Sequence, residues 1–350
     1  MKTESWITPV ILVLCSLLAT TAIGEQEYTF KPGHASLQEW LLPAVPYPAD
    51  NKPNAERIAL GKMLFFDPRL SGDGNMSCAT CHSPLFGWSD GLPTAKGFQS
   101  KVLGRASPTV TNSAYNHLQM WDGRKSSLED QALGPMLSSA EMNVDLNKAI
   151  KFLQANATYV GAFAKAYPKQ GITDESLAKA IASFERTVIS NNSPFDRWIK
   201  GDKKAMTKQQ VNGFKLFVDP DKGNCAVCHS APNFTDNGFH NIGLESWGQE
   251  NPDMGRYAIK PIGLMKGAFK TPTLRDITLT APYFHDGSAA TLMDVVNHYE
   301  TGGSVKTNLS PNMKALQLTP AEKNDLVAFM KALTTPPQAF TLPVIPPNNF

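Results

Sequence analysis

The sequence predicts a mainly α-helical protein built from two related domains, and three observations lead to this prediction. The pattern Gly-x-x-Leu-Phe-x-Asp-Pro occurs at residues 61–68 and again at 213–220, with five of eight positions identical. Apolar residues recur at helical spacing, whereas the alternation typical of strands is scarce. The 26 Pro and 25 Gly indicate that long, shaped loops join the helices. A repeat of this kind predicts two domains with the same fold.

The repeat also predicts the domain boundaries. The 350 residues suffice for about two domains of ordinary size. We expect an N-terminal domain at residues 25–195 and a C-terminal domain at residues 205–335, joined near the polar segment 191–204. The Pro-rich tail, residues 336–350, is expected to wrap the surface or to be loose.

Individual helices can be placed from their end signals. A helix should end at Asp67 and another at Asp219, because the following Pro disfavours helical geometry in the residue before it. Capping boxes at Thr207 to Gln210, Thr291 to Asp294 and Thr319 to Glu322 predict three helix starts. Two apolar stripes at helical spacing consist of Leu177, Ile181, Phe184 and Val188, and of Leu326, Phe329, Met330 and Leu333.

The N-terminus has the pattern of an export signal. Lys2 precedes an apolar run at residues 7–19, and the small residues Ala22 and Gly24 suit cleavage, so residues 1–24 are predicted to be a signal peptide. An uncleaved anchor is the alternative, but the run is short for a membrane span. We therefore expect a periplasmic protein that is not an integral membrane protein after cleavage. The net charge of +2 gives no reason to expect a nucleic-acid partner.

The cysteines carry the strongest chemical signal. Of five cysteines, Cys15 lies in the export signal, and the other four form Cys-x-x-Cys-His motifs at residues 78–82 and 225–229. This spacing is typical of c-type haem attachment, in which two thiols bond the haem covalently and the His ligates iron. A zinc site or two disulfides are the alternatives, although zinc sites rarely place His directly after the second Cys. The predicted haem-binding residues are Cys78, Cys81, His82, Cys225, Cys228 and His229. Two cytochrome-c-like domains follow, each with one covalently bound haem c.

The first haem is expected to have an open coordination position. Electron-transfer haems usually have a second protein ligand, His or Met. After His82, the next His is His117 and the next Met is Met120, so the following loop offers no obvious ligand. A distant ligand would instead make the protein a non-enzymatic dihaem electron carrier.

Residues 112–142 contain groups suited to peroxide chemistry. Taken alone, Trp121 suits a core aromatic, and Gln131 and Glu141 suit surface positions on a helix. Peroxide activation, however, needs a group that moves a proton between the two oxygens and a hydrogen-bond donor that stabilises the separating charge. A carboxylate and an amide would serve, and a Trp between two haems could carry an oxidising equivalent.

These residues resemble the bacterial dihaem cytochrome c peroxidase and MauG superfamily over nearly the whole mature chain. The matching features are the two haem motifs, residues 120–124, Gln131, Glu141, residues 269–275 and residues 279–287. The resemblance implies that Trp121 lies between the haems and that Gln131 and Glu141 line the distal pocket of the first haem.

The resemblance also implies a calcium ion between the domains. The carbonyl groups of Thr280 and Pro282 would help to hold it. One departure from the superfamily concerns this ion, because Ala106 follows Arg105 where the superfamily usually has Asn. His240 and His285 are given no catalytic role, and His240 is expected to bond a haem propionate or the backbone.

The superfamily divides by the sixth ligand of the second haem, which is Met in the peroxidases. The corresponding residue here is Tyr299, which shares a helical face with Leu292, Val295 and Val296. It could be a core aromatic, yet an inward face is also what a ligand requires. In having Tyr at this position, the chain resembles the MauG branch, including the MbnH proteins. That branch uses hydrogen peroxide to form a high-valent dihaem state that oxidises Trp in a partner protein. The alternative enzyme is a peroxidase that takes electrons from a small cytochrome or cupredoxin.

Overall fold

The computed structural model describes residues 27–347, and the predicted signal peptide lies outside the described residues. The described part is mainly helical, as predicted. Its α-helices are α1 (Ala55–Phe66), α2 (Cys78–Cys81), α3 (Leu128–Leu137), α4 (Leu146–Ala155), α5 (Ala157–Ala166), α6 (Asp174–Glu185), α7 (Pro194–Ile199), α8 (Lys208–Val218), α9 (Leu292–Glu300) and α10 (Pro320–Ala332). Two short antiparallel strands, β1 (Phe239–His240) and β2 (Phe269–Lys270), pair with Phe239 opposite Lys270. Short 3-10 turns and loops connect these elements.

The first half is organised around the crossing of α1 and α6. Helix α1 begins at the Asn54 cap and ends at Asp67, as the Asp-Pro pair predicts. Gly61 makes the close crossing possible, because a β-carbon there would overlap the carbonyl of Ala180 and touch Phe184. Buried residues of α1 and α6 pack with side chains of α3, α4 and α5, and this cluster is called the first core.

The second half repeats this crossing with α8 and α10. Helix α8 ends at Asp219, again as predicted, and Gly213 approaches the carbonyl of Asp325 and the side chain of Phe329. The predicted capping boxes at Thr207, Thr291 and Thr319 are all confirmed. Buried residues of α7, α8, α9 and α10 form the second core.

The predicted polar link between the halves is more ordered than expected. Helix α7 lies within it, capped by Ser193, and its Phe195 and Trp198 are buried in the second core. Asp196 of the same helix forms a buried ion pair with Arg275 at 2.7 Å. The sequence pattern does not predict this helix, because turn-forming residues alternate with apolar ones. Tertiary packing stabilises it.

Both ends of the described chain cross over to the opposite half. Leu37 and Trp40, near the N-terminus, are buried in the second core. Phe340, in the C-terminal tail, packs on the first core and stacks on Phe66 with ring centroids 5.6 Å apart. The tail therefore wraps the first half, and the predicted domain boundaries remain a prediction. Within residues 27–347, no helix has the length and apolar character needed to cross a membrane.

Candidate active site

One cavity of about 670 Å³ connects the two halves of the protein. Both Cys-x-x-Cys-His motifs line it, and so do Trp121, Gln131, Glu141 and Tyr299. The fold thus brings residues from distant parts of the sequence to one internal space.

The first motif forms α2 and the residue that caps its end. Cys78 and Cys81 are both free thiols, and burial raises the pKa of Cys81 to about 12. The ring Nδ1 of His82 lies 3.2 Å from the carbonyl oxygen of Trp88, which leaves Nε2 available. Burial lowers the pKa of His82 and so favours the neutral imidazole that metals bind.

The second motif has the same internal arrangement. Cys225 and Cys228 are free, and His229 Nδ1 lies 3.0 Å from the carbonyl oxygen of Phe234. Trp88 and Phe234, which hold the two histidines, both have positive φ angles of 63° and 55°. Burial lowers the pKa of His229 as well.

The residues present fit two c-type haems. None of the four motif cysteines is in a disulfide, which removes that alternative. In the described residues, the only side-chain group with metal-site spacing is Cys228, Asp236 and His240, which uses just one of the four thiols and so does not support a zinc site of the motif cysteines. Paired free thiols, oriented neutral histidines and a shared cavity are what covalent haem attachment requires.

Helix α3 supplies one wall of the cavity beside the first motif. It begins at the Ser127 cap, and its Gln131 and Pro135 face the cavity. Glu141 follows in the loop after α3 and also faces the cavity, with Arg124 Nη2 3.9 Å from its carboxylate. Burial is the largest influence on Glu141 and raises the pKa of this carboxyl above its usual value, which suits a group that takes up and releases a proton.

Trp121 lies at the boundary between the halves. Its indole N–H donates to the carbonyl of Ala106 at 2.9 Å, and its ring centroid lies 6.3 Å from that of His285. The N–H of Lys270 donates to the Trp121 carbonyl at 2.8 Å, while the N–H of Ala106 donates to the His285 carbonyl at 2.7 Å. These two reciprocal bonds fix Trp121 against the opposite half.

Tyr299 is placed on α9, facing the cavity beside the second motif. Leu292 and Val296 of the same helix are buried in the second core. Burial raises the pKa of the Tyr299 phenol, so the phenolate requires a neighbouring cation. A ferric haem iron would supply that charge.

The predicted calcium ligands lie at the same cavity, but these two residues offer few of the oxygen ligands that calcium takes. Thr280 and Pro282 line the cavity. Calcium takes six to eight oxygen ligands. Arg105, which precedes the unusual Ala106, forms ion pairs with Asp122 at 2.7 Å and with Asp253 at 2.6 Å. The calcium ion stays a prediction.

The structure adds detail at His240 and reveals further cavity groups to which the sequence assigns no role. The sequence predicts that His240 bonds a haem propionate or the backbone; the structure places its ring nitrogens 2.8 Å from Asp236 Oδ2 and 2.9 Å from Ser310 Oγ, and the propionate contact stays a prediction. Buried Lys270 and Glu185 also line the cavity, and neither belongs to a haem motif. The shared motifs do not single out Glu185, because Glu185 lies 124 residues after Gly61 (185 − 61 = 124) whereas its counterpart Met330 lies 117 residues after Gly213 (330 − 213 = 117).

Comparisons with known proteins agree with this arrangement. The family described as di-haem cytochrome c peroxidase matches residues 55–204. The chain is 42% identical to the methylamine utilization protein MauG of Methylophilus methylotrophus over 305 residues, 87% of this chain and 90% of that protein. It is 38% identical to the cytochrome c551 peroxidase of Nitrosomonas europaea over 309 residues, 88% of each chain.

Solved structures show the same likeness. The crystal structure of a MauG-like protein associated with microbial copper homeostasis superposes with a TM-score of 0.78 at 32% identity, covering 85% of this chain and 95% of that one. These relatives share the fold and most of the length of this chain. The chain therefore belongs to the di-haem cytochrome c peroxidase and MauG family of peroxidase-type oxidoreductases.

Proposed function

We propose that the protein is a MauG-like dihaem enzyme that uses hydrogen peroxide to oxidise a partner protein, with Trp as the residue oxidised. The observation that carries this proposal is the placement of Tyr299 on the cavity wall beside the second haem motif. Tyr as a hard anionic ligand stabilises ferric and higher oxidation states of iron, whereas Met favours the reduced state.

The two motifs supply the residues that would hold the haems. Cys78 and Cys81 hold one haem and Cys225 and Cys228 the other, with His82 and His229 as the iron ligands. When bound, the two haems supply the redox chemistry that peroxide reduction requires. The carbonyls of Trp88 and Phe234 orient the two imidazoles through their Nδ1 atoms.

The groups beside the first motif manage protons. Glu141 accepts a proton from the bound peroxide oxygen and returns it to the leaving oxygen. The Gln131 amide donates a hydrogen bond to the oxygen on which charge develops. Both side chains line the cavity on the side of α3.

Trp121 connects the halves. Its indole N–H donates to the Ala106 carbonyl, and Trp121 lines the same cavity as both motifs, which supports a position between the haems. An indole is easily oxidised, so Trp121 carries an oxidising equivalent from the first half to the second. The phenol of Tyr299 would ligate the second haem iron as the phenolate.

A dihaem cytochrome c peroxidase is the second candidate. The identity to the Nitrosomonas peroxidase, 38%, is close to the 42% identity to MauG. That enzyme class takes electrons from a small cytochrome or cupredoxin instead of oxidising a partner's Trp. The Tyr299 position favours the first candidate.

The proposal includes the setting of the enzyme. The protein works in the periplasm after cleavage near Gly24, as two haem domains with one calcium ion between them. The sequence pattern of residues 1–24 and the carbonyls of Thr280 and Pro282 support these points.

The two candidates are separated by offering the purified holoprotein two kinds of electron source with peroxide. One is the protein encoded beside this chain's gene, analysed by peptide mass spectrometry for oxidised Trp. The other is a reduced small cytochrome c, followed optically. Trp oxidation with slow cytochrome turnover supports the MauG-like function. Fast cytochrome turnover without Trp oxidation assigns the protein to the peroxidases.

A further inference from the structure

The internal repeat allows each position in the first half to be compared with its counterpart in the second. Gly61 of α1 contacts Ala180 and Phe184 of α6, and Gly213 of α8 makes the same contacts with Asp325 and Phe329 of α10. Both helix crossings therefore have the same register. The position after Phe184 corresponds to the position after Phe329.

This register pairs Glu185 with Met330. Both side chains are buried, at 4% and 7% exposure, and both line the cavity. One helical turn earlier, the same register pairs Ile181 of α6 with Leu326 of α10, and both of these side chains also line the cavity. The fold accepts an apolar side chain at this position in the second half, so the packing itself does not require a carboxyl in the first.

Glu185 is also incompletely bonded. Its Oε2 atom is buried without a hydrogen-bond partner. The adjacent Arg186 does not serve it, because that guanidinium forms two bonds with Glu129 of α3, at 2.7 and 2.9 Å. Burying a polar atom without a partner costs free energy, so a carboxyl retained here has a use other than stability.

Glu185 has titratable and charged neighbours on three elements of the first half. The groups that interact electrostatically with it are Arg186 at the end of α6, Glu129 of α3 and Cys78 of α2. The Glu129 side chain is 18% exposed, and α3 also carries Gln131 on the cavity wall. Glu185 therefore interacts with a partly exposed carboxylate of α3 and lines the same cavity as Gln131 of that helix.

We propose that Glu185 is the internal proton donor that supplies the peroxide pocket of the first half. The inference rests on the proposed peroxide chemistry and extends it. Reduction of one hydrogen peroxide to two waters takes up two electrons and two protons. The electrons come from the partner protein. Glu185 gives one proton to the pocket and regains it from solvent, and the second proton enters the pocket from solvent. Glu185 acts through the pocket's own groups and is a proton-relay residue.

Burial supports this role, because it raises the pKa of Glu185 to about 8. A carboxyl with this pKa is protonated at pH 7 and able to donate. As the pH rises through that value the donor form disappears, so the relay predicts that the reaction slows on the alkaline side.

The test uses the holoprotein with Glu185→Met, which copies the second half's own residue, and Glu185→Gln as a more conservative variant. The control is Glu175→Gln, the same chemical change on the same helix at an exposed side chain. Haem content, melting temperature, the infrared band of a protonated carboxylic acid and the stopped-flow rate with hydrogen peroxide are measured from pH 6 to 10.

We expect Glu185→Met to keep its haems and its melting temperature and to lose the infrared band. Its peroxide reaction should slow by about tenfold or more at neutral pH, short of the 10²–10⁴-fold of a group acting directly on substrate. The fall in peroxide rate at alkaline pH should be absent in Glu185→Met, whereas Glu175→Gln should match the wild type.

An unchanged rate and pH profile in Glu185→Met, or an infrared band that survives the substitution, would overturn the relay and leave the proposed function standing. A wild-type holoprotein that does not react with peroxide would overturn both.

Discussion

Pro135 and Tyr299 occupy equivalent positions in the two halves of the protein. Pro135 is the eighth residue after the Ser127 cap of α3 (135 − 127 = 8), and Tyr299 is the eighth after the Thr291 cap of α9 (299 − 291 = 8). Both line the cavity beside their own haem motif. Tyr has an oxygen that can ligate iron and Pro has none, which is the difference that the proposed closed second site and open first site require.

This equivalence predicts the effect of Pro135→Tyr. A phenol on α3 should approach the first haem as Tyr299 approaches the second, making the first iron six-coordinate. We expect the high-spin optical signal of the ferric protein to disappear and the peroxide rate to fall steeply. Pro135→Ala is the control and should keep the high-spin signal. A Pro135→Tyr protein that remains high-spin and reactive would show that the two helices are not functionally equivalent.

Tyr299→Met tests the choice between the two enzyme classes. A neutral, soft thioether favours reduced iron, so the reduction potential of the second haem should rise. Oxidation of a partner's Trp should be lost, while peroxide consumption with a small electron donor survives. Spectroelectrochemical titration measures the potential, and Tyr299→Phe serves as a control that removes the oxygen without adding sulfur. If Tyr299 is only a packing residue, neither variant will alter the haem spectra.

Glu141→Gln should slow the reaction with peroxide by about 10²–10⁴-fold without changing haem content, because the positioned acid–base group is gone. The wild-type rate should fall on acidification, since Glu141 must be ionised to accept a proton, and the midpoint should exceed the usual Glu value because burial raises its pKa. Stopped-flow mixing over a pH series measures both effects. Gln131→Leu should show a smaller loss and keep the acid limb. An unaltered rate in Glu141→Gln removes this carboxyl from the mechanism.

Trp121→Phe keeps an aromatic ring at the boundary but removes the easily oxidised indole. The first haem should still react with peroxide at the wild-type rate. Oxidation of the second haem and of the partner should drop, which rapid-scan optical spectra and peptide mapping would detect. Trp198→Phe, a change buried in the second core, is the matched control. A Trp121→Phe protein that oxidises its partner normally would rule out the bridging role.

The sequence by itself determined the parts of this protein that depend on neighbouring residues. The two Cys-x-x-Cys-His motifs, the helix ends at Asp67 and Asp219 and the capping boxes involve residues a few positions apart, so local patterns suffice to find them. Resemblance to a family then indicated the roles of Tyr299 and Glu141.

Only the tertiary structure decided which distant residues meet. The helix at residues 194–199 exists because the second core buries its apolar face, and the crossing of Trp40 and Phe340 to opposite halves leaves no local trace. The pairing of Glu185 with Met330 depends on how α6 and α10 pack against glycines more than a hundred positions away. Burial, which sets the proton affinity of Glu185, is a property of these long-range contacts and not of the residue or its neighbours in sequence.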